Sequence, residues 1–141
     1  MIIKKINEDD VKNIEIENFD DFWNQEILNE EIKSKDSSGY IAIINEKVVG
    51  FIIIKTILDE IEIMNVAIHK LFRRKGIAKE LLIKIIEYAK QNNIIKINLE
   101  VNEKNIAAIS LYEKLNFKQV GLRKKYYNRK DSAILMTLSE I

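Results

Sequence analysis

Between Tyr40 and Asn102 the hydrophobic period of this chain changes twice, and that order of periods limits the folds open to it. Tyr40–Ile44, Val48–Ile57 and Ile61–Ile68 are rich in β-branched residues and are separated by Asn45-Glu46-Lys47 and by a turn at Asp59-Glu60. They read as three consecutive antiparallel strands. Ile77, Leu81, Leu82, Ile85, Ile86 and Ala89 then recur at helical spacing, over a helix of about 15 residues that Asn92-Asn93 stops. Ile95, Ile97, Leu99 and Val101 alternate with Lys96, Asn98, Glu100 and Asn102, the signature of a strand with one wet face. Strand, helix and strand in this order predict a right-handed βαβ crossover.

The flanks extend the same architecture. Ile2–Ile6 reads as a strand, and Asn7-Glu8-Asp9-Asp10 as an acidic helix entry. Asn24 is placed to cap a second helix running to Lys35, which Asp36-Ser37-Ser38-Gly39 breaks. Asn102 or Asn105 can cap one more helix, ending near Leu115-Asn116, before closing strands at Lys118–Tyr126 and Ser132–Leu138. The expected fold is α+β, with a mixed, mostly antiparallel sheet of about seven strands, helices on both faces and a βαβ core. With 141 residues, no proline and four scattered glycines, the chain offers no linker, and residues 1–141 read as a single domain.

Composition removes several chemistries. Cysteine is absent, so disulfides, thiolate catalysis and cysteine-ligated metals are excluded, and the single histidine, His69, leaves a His-rich metal site without ligands. No metal is expected. No secretory leader or membrane span is visible, and a cytoplasmic protein, monomeric or weakly dimeric, is the expectation. The near-neutral net charge of +1 hides an asymmetry. Residues 1–66 carry 7 basic and 15 acidic side chains, net −8, and residues 67–141 carry 16 basic and 7 acidic, net +9. Such halves suit one cationic and one anionic partner. They do not suit a specific nucleic-acid binder, whose basic residues dominate.

The anionic partner has an evident place. Arg73-Arg74-Lys75-Gly76-Ile77-Ala78 joins a strand to a helix, and Lys70 and Lys79 flank it. The first N–H groups of a helix have no helical acceptor, and they sit at the positive end of its dipole. Gly76 lets a ligand approach the backbone closely, and Ala78 keeps the first turn slim. The stretch is neither a Walker loop nor a dinucleotide fingerprint, both of which need other glycine spacings.

Arg-x-x-Gly-x-Ala after an antiparallel strand resembles the coenzyme A pyrophosphate loop of the GNAT acetyltransferases. The likeness continues through Leu99-Glu100-Val101-Asn102-Glu103-Lys104-Asn105, Ala107-Ala108-Ile109-Ser110-Leu111-Tyr112-Glu113-Lys114-Leu115-Asn116-Phe117 and Arg123-Lys124-Lys125-Tyr126-Tyr127. It is similar to the RimI branch, the ribosomal-protein-alanine N-acetyltransferases. The first 39 residues match in layout alone, with Phe22-Trp23-Asn24 where that family often has Pro-Trp-Ser.

The resemblance implies acetyl-CoA as co-substrate and a protein N-terminus as acceptor, that of a basic, alanine-starting small-subunit ribosomal protein. Val66, Ala67 and Ile68 would form the strand edge that binds the pantetheine arm. Arg74, Lys75, Gly76, Ile77, Ala78 and Lys79 would wrap the pyrophosphate, and Asn105 would contact the cofactor arm. Glu100 would be the general base and Tyr112 the general acid. Asn116 stands where the family often has glycine, and asparagine tolerates the left-handed conformation of a helix end.

The chemistry is coherent on its own terms. Acetyl transfer from a thioester needs a neutral amine, a donor for the developing oxyanion and a proton for the departing thiolate. Deprotonating an α-amine of pKa about 8 at pH 7 costs ~1 kcal/mol, against roughly 4–5 kcal/mol for a lysine near 10.4. One carboxylate therefore suits an N-terminus better than a lysine. Taken alone, Glu100 reads as a solvated strand residue, Tyr112 as a helix residue packed on a core, His69 as a surface residue beside the loop, and Trp23 as a core or helix-docking residue. Tyr126 and Tyr127 suit either an acceptor groove or hairpin packing. The competing functions are acetylation of a small amine or lysine side chain, and a non-catalytic acyl-CoA-binding sensor, which would need neither Glu100 nor Tyr112.

Overall fold

The computed structural model describes residues 1–19, 24–127 and 130–141, with residues 125–127 described by their backbone alone. Phe22, Trp23 and the side chains of Tyr126 and Tyr127, on which expectations rested, lie outside the described residues. In chain order the elements are β1 (Ile2–Lys5), α1 (Glu8–Lys12), α2 (Gln25–Lys33), β2 (Ser37–Ile44), β3 (Lys47–Ile57) and β4 (Glu60–Ile68). They continue with α3 (Ile77–Gln91), β5 (Lys96–Asn102), α4 (Ile106–Lys114), β6 (Lys118–Tyr127) and β7 (Asp131–Leu138). The strands form one seven-stranded sheet in the order β1-β2-β3-β4-β5-β7-β6. Its single parallel pair, β4 with β5, is the one bridged by α3, and every other pair is antiparallel. This is the expected α+β architecture.

Local chemistry explains the boundaries. The Asn7 side chain accepts from the Asp10 N–H, and the Asp10 carboxylate accepts from the Asn7 N–H, each at 2.9 Å, closing a capping box on α1. Asn24 caps α2 through the Ile27 N–H at 2.8 Å. Asn45 and Glu46 take positive φ values of 49° and 66°, the left-handed pair that a two-residue hairpin demands. Asn93 and Asn116, at φ 56° and 73°, turn the chain out of α3 and α4. Gly39 does not break α2 as expected but lies inside β2. A Cβ there would stand 2.2 Å from the Ile52 carbonyl oxygen on β3, so glycine serves close approach rather than a turn. The β3–β4 turn is Leu58-Asp59, and Glu60 already belongs to the strand.

Two cores bury the two faces of the sheet. Ile52, Ile54, Ile61, Ile97, Leu99 and Val101 pack under α3 and α4, against Leu81, Leu82 and Ile85. Ile41, Phe51, Ile53 and Ala67 pack under α1 and α2, against Val11 and Leu28. Each such fully buried aliphatic side chain contributes roughly 1.5–3 kcal/mol. No helix among the described residues is long and apolar enough to cross a membrane.

One irregularity of the sheet organises everything that follows. β4 and β5 pair at Glu60 with Lys96, Ile61 with Ile97 and Glu62 with Asn98, and at no later position. Beyond that point β4 runs on to Ile68 and β5 to Asn102 as a fork. A polar clasp holds its closed end: Asn98 Nδ2 donates to Glu60 Oε1 at 2.9 Å and to Glu62 Oε1 at 3.0 Å. The Thr137 hydroxyl on β7 donates to Asn98 Oδ1 at 2.7 Å, so the asparagine's amide serves three partners on two neighbouring strands.

Candidate active site

The basic turn sits at the open end of the fork. Arg73, Arg74 and Lys75 are exposed, and Arg74 and Gly76 have φ 63° and 77°. A Cβ on Gly76 would meet nothing within 4 Å, so the glycine leaves open space over the helix start. Gly76 is the N-cap of α3 and offers no side-chain cap. The first helical bond runs from the Glu80 N–H to the Gly76 carbonyl at 3.1 Å. The N–H groups of Ile77, Ala78 and Lys79 precede it and have no helical acceptor. The buried Ile77 side chain anchors this turn to the core while Lys79 stays exposed. A doubly charged phosphate group finds aimed donors, a dipole and four exposed cations here.

The arms of the fork supply the rest. On β4, Val66 and Ile68 are half-buried towards α3, and Ala67 is buried towards α1 and α2. Among the described residues their backbone edge makes no pairing with β5, and the isolated bridge of Phe19 with His69 lies just beyond it, so it can pair with an extended ligand bearing amides. On β5, Leu99 and Val101 face α3 and α4, so Glu100 projects from the opposite face, where it is exposed. Tyr112, on α4, is buried in the core under α3 and α4, with its ring centroid 5.8 Å from that of Phe117. The expected base and acid therefore belong to opposite faces of the sheet. Asn105 caps α4, its Oδ1 accepting from the Ala108 N–H at 3.2 Å. That leaves its Nδ2 hydrogens as the groups a ligand can use.

Two partners of the site were not foreseen. Arg123 on β6 lies opposite Ala133 of β7, and Glu100 lies opposite Leu135 of the same strand. The guanidinium crosses β7 diagonally and places Nη2 3.0 Å from Glu100 Oε1. Asn65 on β4 is the second: it is only 5% exposed, and its Oδ1 has no hydrogen-bond partner among the described residues. A buried orphan of this kind costs about 1–3 kcal/mol.

His69 is a correction. It was expected at the surface, and it is 1% exposed, at the end of β4. Its ring lies edge-on to Phe19 and Phe72, at centroid distances of 5.7 and 5.2 Å. Nδ1 accepts from the Leu71 N–H at 3.1 Å, which puts the imidazole proton on Nε2. The His69 N–H donates to the Val49 carbonyl, and its own carbonyl accepts from the Phe72 N–H, both at 2.9 Å. His69 is thus a pivot beneath the basic turn.

A polar lattice joins the start of α4 to the last hairpin. Asp131 pairs with the Lys104 ammonium at 2.9 Å and accepts from Asn102 Nδ2 at 3.1 Å. The Ser132 N–H donates to the Glu103 carboxylate, and the Glu103 N–H to the Ser132 carbonyl at 3.0 Å. The Lys104 hydrogen bond, then that of Asn102, hold the Asp131 carboxyl below the usual carboxylate range, and Asp131 in turn raises Lys104. Among the described residues no three acidic, histidine or cysteine side chains gather to hold a metal ion.

Residues 8–117 match the model of the acetyltransferase (GNAT) family. The chain is 34% identical over 97 residues to the ribosomal protein bS18 alanine N-acetyltransferase of Escherichia coli, covering 67% of this chain and 66% of that protein. The match thus spans just under two thirds of the length of that relative. An N-alpha-acetyltransferase of Saccharolobus solfataricus is 34% identical over 120 residues, covering 76% of this chain and 72% of its own. The crystal structure of the Escherichia coli ribosomal-protein-S18-alanine N-acetyltransferase superposes with a TM-score of 0.89 at 27% identity, covering 97% of this chain and 92% of that one. Family model and relatives agree: this chain belongs to the GNAT acetyltransferase family.

Proposed function

We propose that the chain transfers an acetyl group from acetyl-CoA to the N-terminal α-amine of a protein, with an alanine-starting, basic small-subunit ribosomal protein as the acceptor. The observation that carries this reading is the fork: β4 and β5 stop pairing after Glu62 and Asn98, between an uncapped, cation-flanked helix start and the Glu100 carboxylate. The names of the Escherichia coli and Saccharolobus relatives support the amine as acceptor. A ribosomal acceptor places the reaction in the cytoplasm.

The residues present fit acetyl-CoA. Arg74, Lys75 and Lys79 with the N–H groups of Gly76, Ile77 and Ala78 suit a pyrophosphate. The free edge of Val66, Ala67 and Ile68 suits the amides of a pantetheine arm, and the Nδ2 of Asn105 is a further donor. When bound, the thioester supplies a carbonyl carbon open to attack by a neutral amine and a sulfur that leaves as thiolate. Glu100 takes a proton from the acceptor ammonium and so frees the lone pair. N–H groups near Ile68 donate to the acyl oxygen as negative charge develops on it. The Tyr112 hydroxyl, reaching from the other face of the sheet, supplies the proton that the departing sulfur needs. No covalent enzyme intermediate is involved, consistent with a chain that has no cysteine.

The test is thiol release from acetyl-CoA with three acceptors: an alanine-starting, arginine-rich peptide with one internal lysine, the same peptide with its N-terminus blocked, and a small polyamine. Turnover confined to the free N-terminus supports the reading. Equal turnover with the blocked peptide moves the acceptor to lysine, and turnover with the polyamine alone moves it to small amines.

A further inference from the structure

Asn65 lies at the one place where the alternation of β4 is broken. The β3–β4 register runs Ile54 with Ile63 and then Ile53 with Asn65, so Met64 is an extra residue on the β4 side. Ile61 and Ile63 face α3 and α4, and simple alternation would place residue 65 with them. The bulge reverses the order. Val66 and Ile68 now face α3, and Asn65 and Ala67 face α1 and α2, opposite Ile53 and Phe51 of β3. Glu100 projects from that same face of the sheet, on the strand across the fork.

The bulge thus delivers a polar side chain to the Glu100 side of the opening. It does so three residues beyond Glu62, where pairing with β5 has ended. There Asn65 is 5% exposed, and its Oδ1 has no partner among the described residues. A buried carbonyl oxygen left unpaired destabilises the protein that carries it, and an apolar residue of the same size would remove that penalty. Bulges beside functional sites commonly re-aim a side chain. Glu62 and Glu60, the nearest acidic groups along the same strand, are already engaged by Asn98.

We propose that Asn65 is an acceptor-binding residue, whose side-chain amide takes a hydrogen bond from the N–H of the acceptor's N-terminal amine or first peptide group and holds that amine in the fork within reach of Glu100. The inference rests on the proposed function and deepens it. The orphaned oxygen is satisfied when the acceptor is bound. Lost affinity for the wrong acceptor follows from the same geometry, because an amine lacking a hydrogen directed at Oδ1 leaves that oxygen unpaired.

The test compares wild type with Asn65→Leu, which keeps the branched skeleton and removes the orphan, and with Asn65→Ala as a second variant should the larger leucine disturb folding. The expected result is a melting temperature at or above wild type for Asn65→Leu. With it come a loss of at least 10-fold in kcat/KM for an alanine-starting peptide, carried largely by the peptide KM, and an unchanged KM for acetyl-CoA. Folded variants with wild-type kcat/KM for the peptide overturn the assignment. Wild type that binds acetyl-CoA but acetylates no N-terminus overturns the proposed function and this inference with it, so the two failures are distinguished by the wild-type measurement.

Discussion

Arg123 reaches diagonally across β7 to set its guanidinium 3.0 Å from the carboxylate of Glu100. The two side chains are 51% and 34% exposed, and a pair this wet contributes at most about 1 kcal/mol to stability. Its consequence is positional: the guanidinium engages the carboxylate from the β7 side of β5, and an incoming ammonium must share or displace it. Arg123→Ala is expected to leave stability within about 1 kcal/mol of wild type while lowering kcat for the peptide about 10-fold. Arg123→Lys should recover part of that loss, because lysine keeps the charge but not the rigid fork of donors. Steady-state kinetics with denaturant melts of the three proteins make the comparison.

Glu100→Gln removes the proton acceptor and keeps the shape. The expected loss in kcat is about 10²–10⁴-fold, with the acetyl-CoA KM unchanged. Raising the pH towards the α-amine pKa of about 8 increases the fraction of neutral amine, so the variant's rate should climb with pH more steeply than that of wild type. A variant as active as wild type at pH 7 would remove Glu100 from the mechanism.

Gly76 separates strain from contact. A Cβ there meets nothing within 4 Å, so Gly76→Ala introduces no clash and its cost comes from φ 77°. That strain is worth about 1–2 kcal/mol. Relief of the strain pulls the helix start out of shape and weakens acetyl-CoA binding, whereas Gly76→Asn, which tolerates the left-handed region, should bind more tightly than the alanine variant. Calorimetric titration with acetyl-CoA ranks the three proteins.

Asp131 gives a pH prediction whose sign is fixed by its partners. Lys104 and Asn102 depress its folded-state pKa below the ordinary 3.8, so its contribution is present above 3.8 and is lost as pH falls through the lower folded value. Lys104 is raised above 10.5, so its share is present below 10.5 and is lost as pH rises through the higher folded value. In Lys104→Met the carboxyl resonance of Asp131, followed by NMR, should titrate closer to 3.8 than in wild type. An unmoved titration would mean that Asn102 and the Lys130 charge set it without Lys104.

The parts of the fold written in local period were legible in the sequence. β3, β4, α3 and β5 fall where alternation and helical spacing place them, and Asn116 takes the left-handed conformation its side chain tolerates. Gly39 misled because glycine signals either a turn or a close approach, and only its neighbour Ile52 decides between them. The burial of His69 depends on Phe19, far away in the chain, which no pattern around the basic turn reveals. Asn65 escaped notice because a single inserted residue, Met64, reverses the face on which alternation would place it. Arg123 escaped because its reach to Glu100 spans an intervening strand that joins the sheet out of chain order.

The most direct measurement is fragment-ion mass spectrometry of one peptide after incubation with this protein and acetyl-CoA. The peptide begins with a free alanine followed by arginines and carries one internal lysine. The account predicts a single acetyl group on the alanine nitrogen. An acetyl group found only on the lysine side chain would contradict it.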